Sequence, residues 1–325
     1  MRVLAGDIGG TKTSLAVAEA AGDLVRLEEE RRYPSRNFAS LEDIVRRFVE
    51  ETGVDCPLAA FAVAGPVQQD RSRTTNLPWE LDGRSLETLL GLRRVRLLND
   101  LEAAAWGIPA LGAEDLEVLN PGAQGAEGNA CVVAAGTGLG EAGLYWDGTG
   151  HHPFATEGGH TDFAPSDELE LELFRHLQGR YGRVSWERVV SGMGIANIYG
   201  FLAEWRRVET PNGLAQALQA GDAGAAIAAA AADGSCPVCV ETMELFLKLY
   251  GREAGNMALK HMALGGVYLG GGIAPKNLDL LRGPAFLQAF FDKGRMEALM
   301  RRMPVKVILE QRAPLYGAAR FMAEA

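Results

Sequence analysis

Two short strand–turn–strand segments, residues 3–18 and 130–146, carry nearly the same glycine–threonine turn, and this repeat constrains the fold more than any other feature. In the first, Val3-Leu4-Ala5 leads into Asp7-Ile8-Gly9-Gly10-Thr11-Lys12, and Thr13 to Ala18 returns. In the second, Ala130 to Ala135 feeds Gly136-Thr137-Gly138-Leu139-Gly140, and Ala142 to Trp146 returns. Short apolar runs bounded by glycine read as strands, and paired glycines suit a tight turn with backbone angles other residues resist. Two such units in succession predict a duplicated α/β plan with a cleft between its halves.

The chemistry of the turns is suggestive. Backbone N–H groups around Gly9-Gly10, with the Thr11 hydroxyl and the Lys12 ammonium, can converge on an anion such as a terminal phosphate. Asp7 would repel that phosphate directly, but not across a hydrated Mg²⁺, a cation usually held by one or two carboxylates plus substrate phosphates. The alternative is a hairpin turn that merely favours glycine and threonine, and the rest of the chain must decide. Gly138-Leu139-Gly140-Glu141-Ala142-Gly143 also satisfies the G-x-G-x-x-G dinucleotide pattern. That pattern needs a helix opening inside it, whereas these residues run into a strand and the Asp147-Gly148 turn, so the dinucleotide reading fails.

Between the two hairpins, Glu19 to Glu29 reads as a second turn and a third strand, followed by a loop over Tyr33 to Asn37. Ser40-Leu41-Glu42-Asp43 opens a helix that stops at Gly53. Leu58 to Ala64 is a buried strand, and Val95 to Leu98 is another that delivers Asn99-Asp100 at its end. Strand pair, third strand, helix, strand is the start of a ribonuclease-H-like unit, whose sheet places ligands at its strand ends. Taken locally, Asp100 reads as the N-cap of the helix that follows. Likewise Ser185 reads as the cap of a helix starting at Trp186, with Glu187 as a first-turn acid that compensates the dipole. Residues 213–232 are helical in propensity, and Ser235 opens a long helix through Met257.

The late stretch Ala263-Leu264-Gly265-Gly266-Val267-Tyr268-Leu269-Gly270-Gly271-Gly272-Ile273 is a strand ending in three glycines. So little side chain there points to close approach of a ligand, such as adenosine, or of another backbone. Val305 to Leu309 is a last strand, and a terminal helix opens near Leu315.

Composition excludes several function classes. The chain has 325 residues, 47% apolar and 23% charged, with a net charge of −10. This is the make-up of a globular protein of about two domains, with no basic footprint for nucleic acid or an anionic membrane. No apolar run reaches membrane-spanning length, so a cytoplasmic protein is expected. Cys236 and Cys239 form a CxxC, but no second pair remains to complete a zinc ribbon, and the two read as structural. His151-His152 and Glu157-Gly158-Gly159-His160-Thr161-Asp162 mark a loop rather than a helical zinc-peptidase motif.

With these pieces in order, the chain resembles bacterial glucokinases of the actin-like sugar-kinase superfamily from end to end. The resemblance rests on Asp7 to Thr11, Leu98-Asn99-Asp100, Ala135 to Gly140, Glu157 to Pro165, Glu187-Arg188-Val189-Val190-Ser191-Gly192 and Gly270 to Ile273. It implies two ribonuclease-H-like α/β domains flanking a cleft that closes over its substrates. Residues 1–110 would form the smaller, completed by a helix in 311–325, and residues 111–310 the larger. It further implies phosphoryl transfer from ATP to the 6-hydroxyl of glucose, with Asp100 as general base. Asn99, Glu157, His160 and Glu187 would hold the sugar, with Gly138 and Asn76 beside it. Asp7, Gly9, Gly10, Thr11, Lys12, Thr137, Gly138 and Gly270-Gly271-Gly272 would hold the nucleotide, Asp7 reaching Mg²⁺ through water. For Asp100 and Glu187 this overrides the local capping readings.

A related group of sugar kinases and repressors, ROK, has a cysteine-rich zinc loop after its glutamate–histidine motif. Phe163-Ala164-Pro165-Ser166 stands there instead, so no zinc is expected and His160 goes to the sugar. A homodimer is implied by the resemblance. The alternatives are a kinase for mannose or fructose, a non-catalytic sugar sensor, for which only Met1 to Gly6 would precede the first motif, and an ATPase without a sugar acceptor.

Overall fold

In the computed structural model, which describes residues 1–74, 77–219 and 223–324, the chain divides into two units. One comprises Met1–Leu116, His152–Ala155 and Glu310–Ala325, the other Glu117–His151 and Thr156–Leu309.

In the first unit, strands β1 (Arg2–Ile8), β2 (Lys12–Ala21), β3 (Leu24–Pro34), β4 (Leu58–Val63) and β8 (Arg94–Asn99) form a sheet ordered β3-β2-β1-β4-β8. β1 is antiparallel to β2 and parallel to β4, which is parallel in turn to β8. Three short strands, β5 (Val67–Gln68), β6 (Arg71–Arg73) and β7 (Glu80–Asp82), make a separate small sheet. The period-two alternation of the strands divides the buried side chains between two faces. Leu4, Ile8, Leu15, Phe61 and Leu97 pack with Ile44 and Phe48 of the helix Leu41–Thr52. That helix begins as expected, with the Ser40 hydroxyl accepting from the Asp43 amide, and ends at Gly53 in the left-handed region (φ 64°). The other face is small: Val3, Ala5, Ala16, Ala60 and Ala62 lie against Trp106, Leu315 and Ala319. Small side chains there let the helices Asp100–Gly107 and Ala313–Glu324 approach so closely that glycine is required between them. A Cβ on Gly107 would fall 2.2 Å from the Ala313 carbonyl, and one on Gly317 would fall 1.7 Å from that of Ala103.

The second unit repeats the plan. β10 (Ala130–Ala135) is antiparallel to β11 (Leu139–Trp146) and parallel to β13 (Gly266–Gly270). With β14 (Val305–Ile308), β9 (Leu116–Asn120) and β12 (His151–Thr156), of which Leu116 and His152–Ala155 are counted with the first unit, the sheet is ordered β12-β11-β10-β13-β14-β9. The buried helix Pro237–His261 packs against it, and Tyr250 within that helix donates its hydroxyl to the Val133 carbonyl at 2.9 Å. The α/β class and the repeated hairpin-plus-parallel-strand plan are both present.

Several local expectations are corrected. β3 runs on to Pro34, so that the loop read at Tyr33 begins only at the short turn Ser35–Asn37. The Ala-rich stretch is helical among the described residues, over Asn212–Gln219 and Ala223–Ala232. Cys236 is the cap of the long helix, its sulfur accepting from the Cys239 amide at 3.2 Å, and both thiols are buried. Among the described residues no single helix is long and apolar enough to cross a membrane.

Candidate functional site

In the first unit the turn after β1 takes its shape from hydrogen bonds. The Gly9 amide donates to the Lys12 carbonyl at 3.0 Å, and the buried Ser35 hydroxyl donates to the Gly9 carbonyl at 2.7 Å. Neither Gly9 nor Gly10 has positive φ. The glycine requirement at position 9 is closeness instead, because a Cβ would stand 3.0 Å from the Lys12 carbonyl. The Gly9 amide is therefore spent within the turn. The Gly10 and Thr11 amides have no backbone acceptor among the described residues, and Thr11 and Lys12 are exposed. Asp7 is half-buried at the end of β1, and burial pushes its carboxyl up to about 6 against the opposing pull of the Lys12 ammonium. It has no hydrogen-bond partner among the described residues.

At the end of β8, the cap of the helix Asp100–Gly107 is Asn99 and not Asp100. The Asn99 side-chain oxygen accepts from the amides of Leu101 (2.9 Å) and Glu102 (3.3 Å), and its amide group donates to the Gly65 carbonyl at 3.0 Å. The strand runs one residue further than Leu98, and this moves the cap position onto Asn99. Asp100 becomes the first residue of the helix, half-buried, with one oxygen 3.0 Å from the Leu101 amide. Asn76 lies outside the described residues.

In the second unit the turn after β10 is closed by the Gly136 amide donating to the Gly138 carbonyl at 2.9 Å. Thr137 is exposed, and the Thr137 and Gly138 amides have no backbone acceptor among the described residues. The carboxylate of Glu187 sits directly over this turn. It accepts from the Leu139 amide at 3.1 Å, and a Cβ on Gly138 would meet its Oε2 at 2.5 Å. Glu187 lies in a short 3₁₀ turn, Trp186–Arg188, and not in the first turn of a helix. The helix begins later, at Gly192, where the Ser191 hydroxyl accepts from the Gly194 amide at 2.9 Å.

The segment carrying Glu157 and His160 is pinned to the same place. Gly159, between them, passes so near the Leu139 carbonyl that a Cβ would stand 2.2 Å from it. The Trp186 amide donates to the Thr161 carbonyl at 3.0 Å, and the Phe163 amide donates to the Val184 carbonyl at 3.0 Å. Leu139 thus engages Glu187 through its N–H and abuts the Glu157–His160 segment at its carbonyl. The two polar side chains remain exposed, with His160 Nε2 3.9 Å from Glu157 Oε2. An exposed acid and imidazole on a backbone this tightly packed are well placed to receive a polyol.

The late glycines divide. A Cβ on Gly271, whose φ is 75°, would fall 2.3 Å from the Ala135 carbonyl, and one on Gly270 would press on the Ala134 side chain at 3.2 Å. Those two are explained by neighbouring backbone and strand packing. Gly272 is exposed, with open space where its side chain would be. Among the described residues no group of three or more His, Cys, Asp or Glu side chains is placed to hold a metal ion.

Sequence reasoning missed Leu139 as the meeting point of the sugar-side groups. Its contacts are made by backbone, so its identity carries no signal. The tell-tale is the glycine on either side of it, at 138 and 140, together with Gly159.

A family model described as Glucokinase matches residues 4–325. A glucokinase of Synechocystis is 42% identical, over 97% of this chain and 96% of its own length. The crystal structure of a glucokinase from an Antarctic psychrotroph superposes with a TM-score of 0.88 at 30% identity, covering 100% of this chain and 99% of its own. A ROK-family glucokinase from Streptomyces griseus, solved with glucose and AMPPNP, has the same fold at a TM-score of 0.66 and 23% identity, with all of both chains covered. Matched along nearly its whole length by the family model and by a relative sharing two residues in five, the chain belongs to the glucokinase family.

Proposed function

We propose that this protein is an ATP-dependent glucokinase that forms glucose 6-phosphate and ADP, with Asp100 as general base. The observation that carries the assignment is the position of Asp100. It heads a helix whose N-cap is its neighbour Asn99, and its half-buried carboxylate, one oxygen of which lies 3.0 Å from the Leu101 amide, stands at the end of β8, where a sheet of this kind places its ligands. Glu157, His160 and Glu187 are assigned to the sugar hydroxyls, a role supported by their convergence around Leu139. Asn99 would add a contact through the second hydrogen of its side-chain amide.

In the reaction the 6-hydroxyl oxygen forms its bond to the γ-phosphorus, its proton passes to the Asp100 carboxylate, and the bond from the γ-phosphorus to the bridging oxygen breaks to release ADP. Transfer of this kind is governed by positioning and charge stabilisation, with general-base assistance of about 10²–10⁴-fold. The Gly10, Thr11, Thr137 and Gly138 amides are assigned to the phosphates, as preorganised donors to developing negative charge. Gly272 is assigned to the adenosine. Asp7 fits a Mg²⁺ role, being a half-buried carboxylate without a hydrogen-bond partner among the described residues. With no protein cage present, a single carboxylate acting with substrate phosphates is the usual arrangement for this ion. Bound there, the ion would offset phosphate charge. The resemblance further suggests a homodimer in the cytoplasm, which sedimentation and cell fractionation would test.

The deciding experiment measures ADP formation from Mg-ATP with and without glucose, in wild type and Asp100→Ala. Glucose-dependent turnover that falls by at least 10²-fold in the variant is expected. Turnover indifferent to glucose would overturn the reading in favour of an ATPase. Turnover with mannose or fructose exceeding that with glucose would reassign the acceptor.

A further inference from the structure

Two carboxyl groups that the reaction does not use are buried beneath the Glu157–His160 segment. Glu141, in β11, is 1% exposed, and Glu253, in the helix Pro237–His261, is 0% exposed. Both oxygens of Glu141 and Oε1 of Glu253 lack a donor among the described residues. The remaining Glu253 oxygen accepts from the Asn256 side chain at 2.9 Å. The two carboxyl groups lie within hydrogen-bonding reach of each other. Two buried carboxylates at that separation cannot both be ionised, because desolvation and mutual repulsion act in the same direction. One retained proton removes the conflict and supplies the missing donor.

Glu141 also touches the sugar-side segment twice. Its carbonyl accepts from the Thr156 hydroxyl at 2.9 Å, and that hydroxyl accepts in turn from the Gly158 amide at 3.3 Å. Its carboxyl oxygen Oε2 lies so near Gly158 that a Cβ there would stand 1.8 Å from it. The backbone between Glu157 and His160 therefore rests on Glu141, the outer member of the pair. We propose that Glu141 and Glu253 hold one proton between them, and that Glu141, so paired, is a positioning residue for Glu157 and His160. The proposal rests on the assignment of those two residues to the sugar.

Burial and the Glu253 charge both hold the Glu141 carboxyl far above its ordinary range. Glu253 is raised as well, chiefly by burial, against the opposing pull of the Asn256 side chain and the Lys260 ammonium. The other charged groups bearing on the pair are the ammonium of Lys260, on the same helix, and that of Lys293, which acts on Glu253. Cys131 on β10 and Tyr250 on the helix also face it, and burial pushes both up and keeps them neutral. Loss of the shared proton at alkaline pH would leave two buried like charges under Gly158 and loosen the segment above them.

The test compares Glu141→Gln and Glu141→Ala with wild type by infrared spectroscopy and by steady-state kinetics across pH. The carbonyl band of a buried protonated carboxylic acid is expected in the wild type and absent from Glu141→Gln. In wild type the KM for glucose should climb above neutral pH, while the KM for ATP does not. Glu141→Ala should raise the glucose KM about tenfold at every pH, as loss of a positioning contact does. Glu141→Gln, whose amide donates permanently to Glu253, should restore it and abolish the climb. A carbonyl band unchanged in Glu141→Gln, or a climb that survives in it, would overturn the proposal. An equal rise in the ATP KM of Glu141→Ala would overturn the positioning role. Glu157→Ala and His160→Ala are measured alongside. Unchanged glucose KM in both would overturn the sugar assignment and the positioning role with it, and the infrared band would then judge the shared proton alone.

Discussion

The Leu139 amide donates to the Glu187 carboxylate at 3.1 Å, across a turn where Gly138 leaves no room for a side chain. A methyl group on Gly138 would stand 2.5 Å from the carboxylate oxygen, so it must displace Glu187 or the turn. Gly138→Ala is therefore expected to raise the KM for glucose by about tenfold or more, with smaller effect on thermal unfolding. Glu187→Gln keeps the size and one acceptor, and should lose less. Kinetics of both variants check the pair, and a Gly138→Ala enzyme with wild-type glucose KM would refute the relationship.

Asn99 and Asp100 are adjacent and should fail differently. Asn99→Ala removes the acceptor for two helix amides and the donor to Gly65, and should cost about 1–2 kcal/mol of stability. Asp100→Asn leaves that cap intact and should unfold near the wild-type midpoint, while kcat falls by about 10²–10⁴-fold. Denaturant titration and kcat, measured on both, separate the structural residue from the base.

How far the sequence disclosed this arrangement depends on whether the signal was local. Both hairpins were legible because short strands flanking a glycine–threonine turn satisfy pattern and turn chemistry together. The start of the helix at Leu41 was legible because Ser40 and Gly53 mark its two ends. The cap at Asn99 was not, since Asn and Asp are equally good caps and only the tertiary pairing of Val63 with Asn99 extends the strand that far. Glu187 looked like a first-turn acid for the same reason, until the bridge between Asp162 and Ser185 drew that segment away from helix. The acid beneath Gly158 gave no signal, because Glu141 sits among apolar strand residues and its partner lies 112 positions on. The three late glycines were read as one feature, and they serve different ends: Gly271 is filled by the Ala135 backbone, and Gly272 is open.

Asp7 illustrates a trade between stability and activity. Its carboxyl is held at about 6, above the usual carboxylate range, because burial disfavours its charge. The folded state thus binds the proton more tightly than the unfolded state, and the penalty develops as pH rises from about 4 to 6. At pH 7.5 the penalty is complete. Asp7→Asn should therefore raise the unfolding free energy of the ligand-free protein at pH 7.5 by about 1–2 kcal/mol and lose this advantage below pH 4. The same variant should have almost no turnover. Equal stability of the two proteins at pH 7.5 would contradict the assignment.

Gly317 fixes how closely the terminal helix lies on the helix that carries Asp100. Its missing Cβ would be 1.7 Å from the Ala103 carbonyl, which is backbone and cannot swing aside. Gly317→Ala should cost about 1–3 kcal/mol in chemical denaturation despite the better helix propensity of alanine. A stabilised variant would show that these helices have room to separate.

Lys293 gives a pH signature in the other unit. Its ammonium donates to the Arg252 carbonyl at 3.0 Å and the Asn256 side chain at 2.8 Å. Burial, and next the Arg252 charge, nonetheless lower it to about 8. For a base this sign means that the unfolded state holds the proton more tightly between pH 8 and about 10.5, so unfolding free energy rises with pH across that window. Below pH 8 both states are protonated and the penalty is constant. Other groups, among them the buried tyrosines and thiols, act in the opposite direction at high pH, so the informative quantity is a difference. Lys293→Met deletes the titration, and wild type should gain on it by about 1 kcal/mol between pH 8 and 10.5 once solvent screening is allowed for. Parallel stability curves for the two proteins over that interval would show that Lys293 stays protonated in the fold, its two acceptors outweighing its burial.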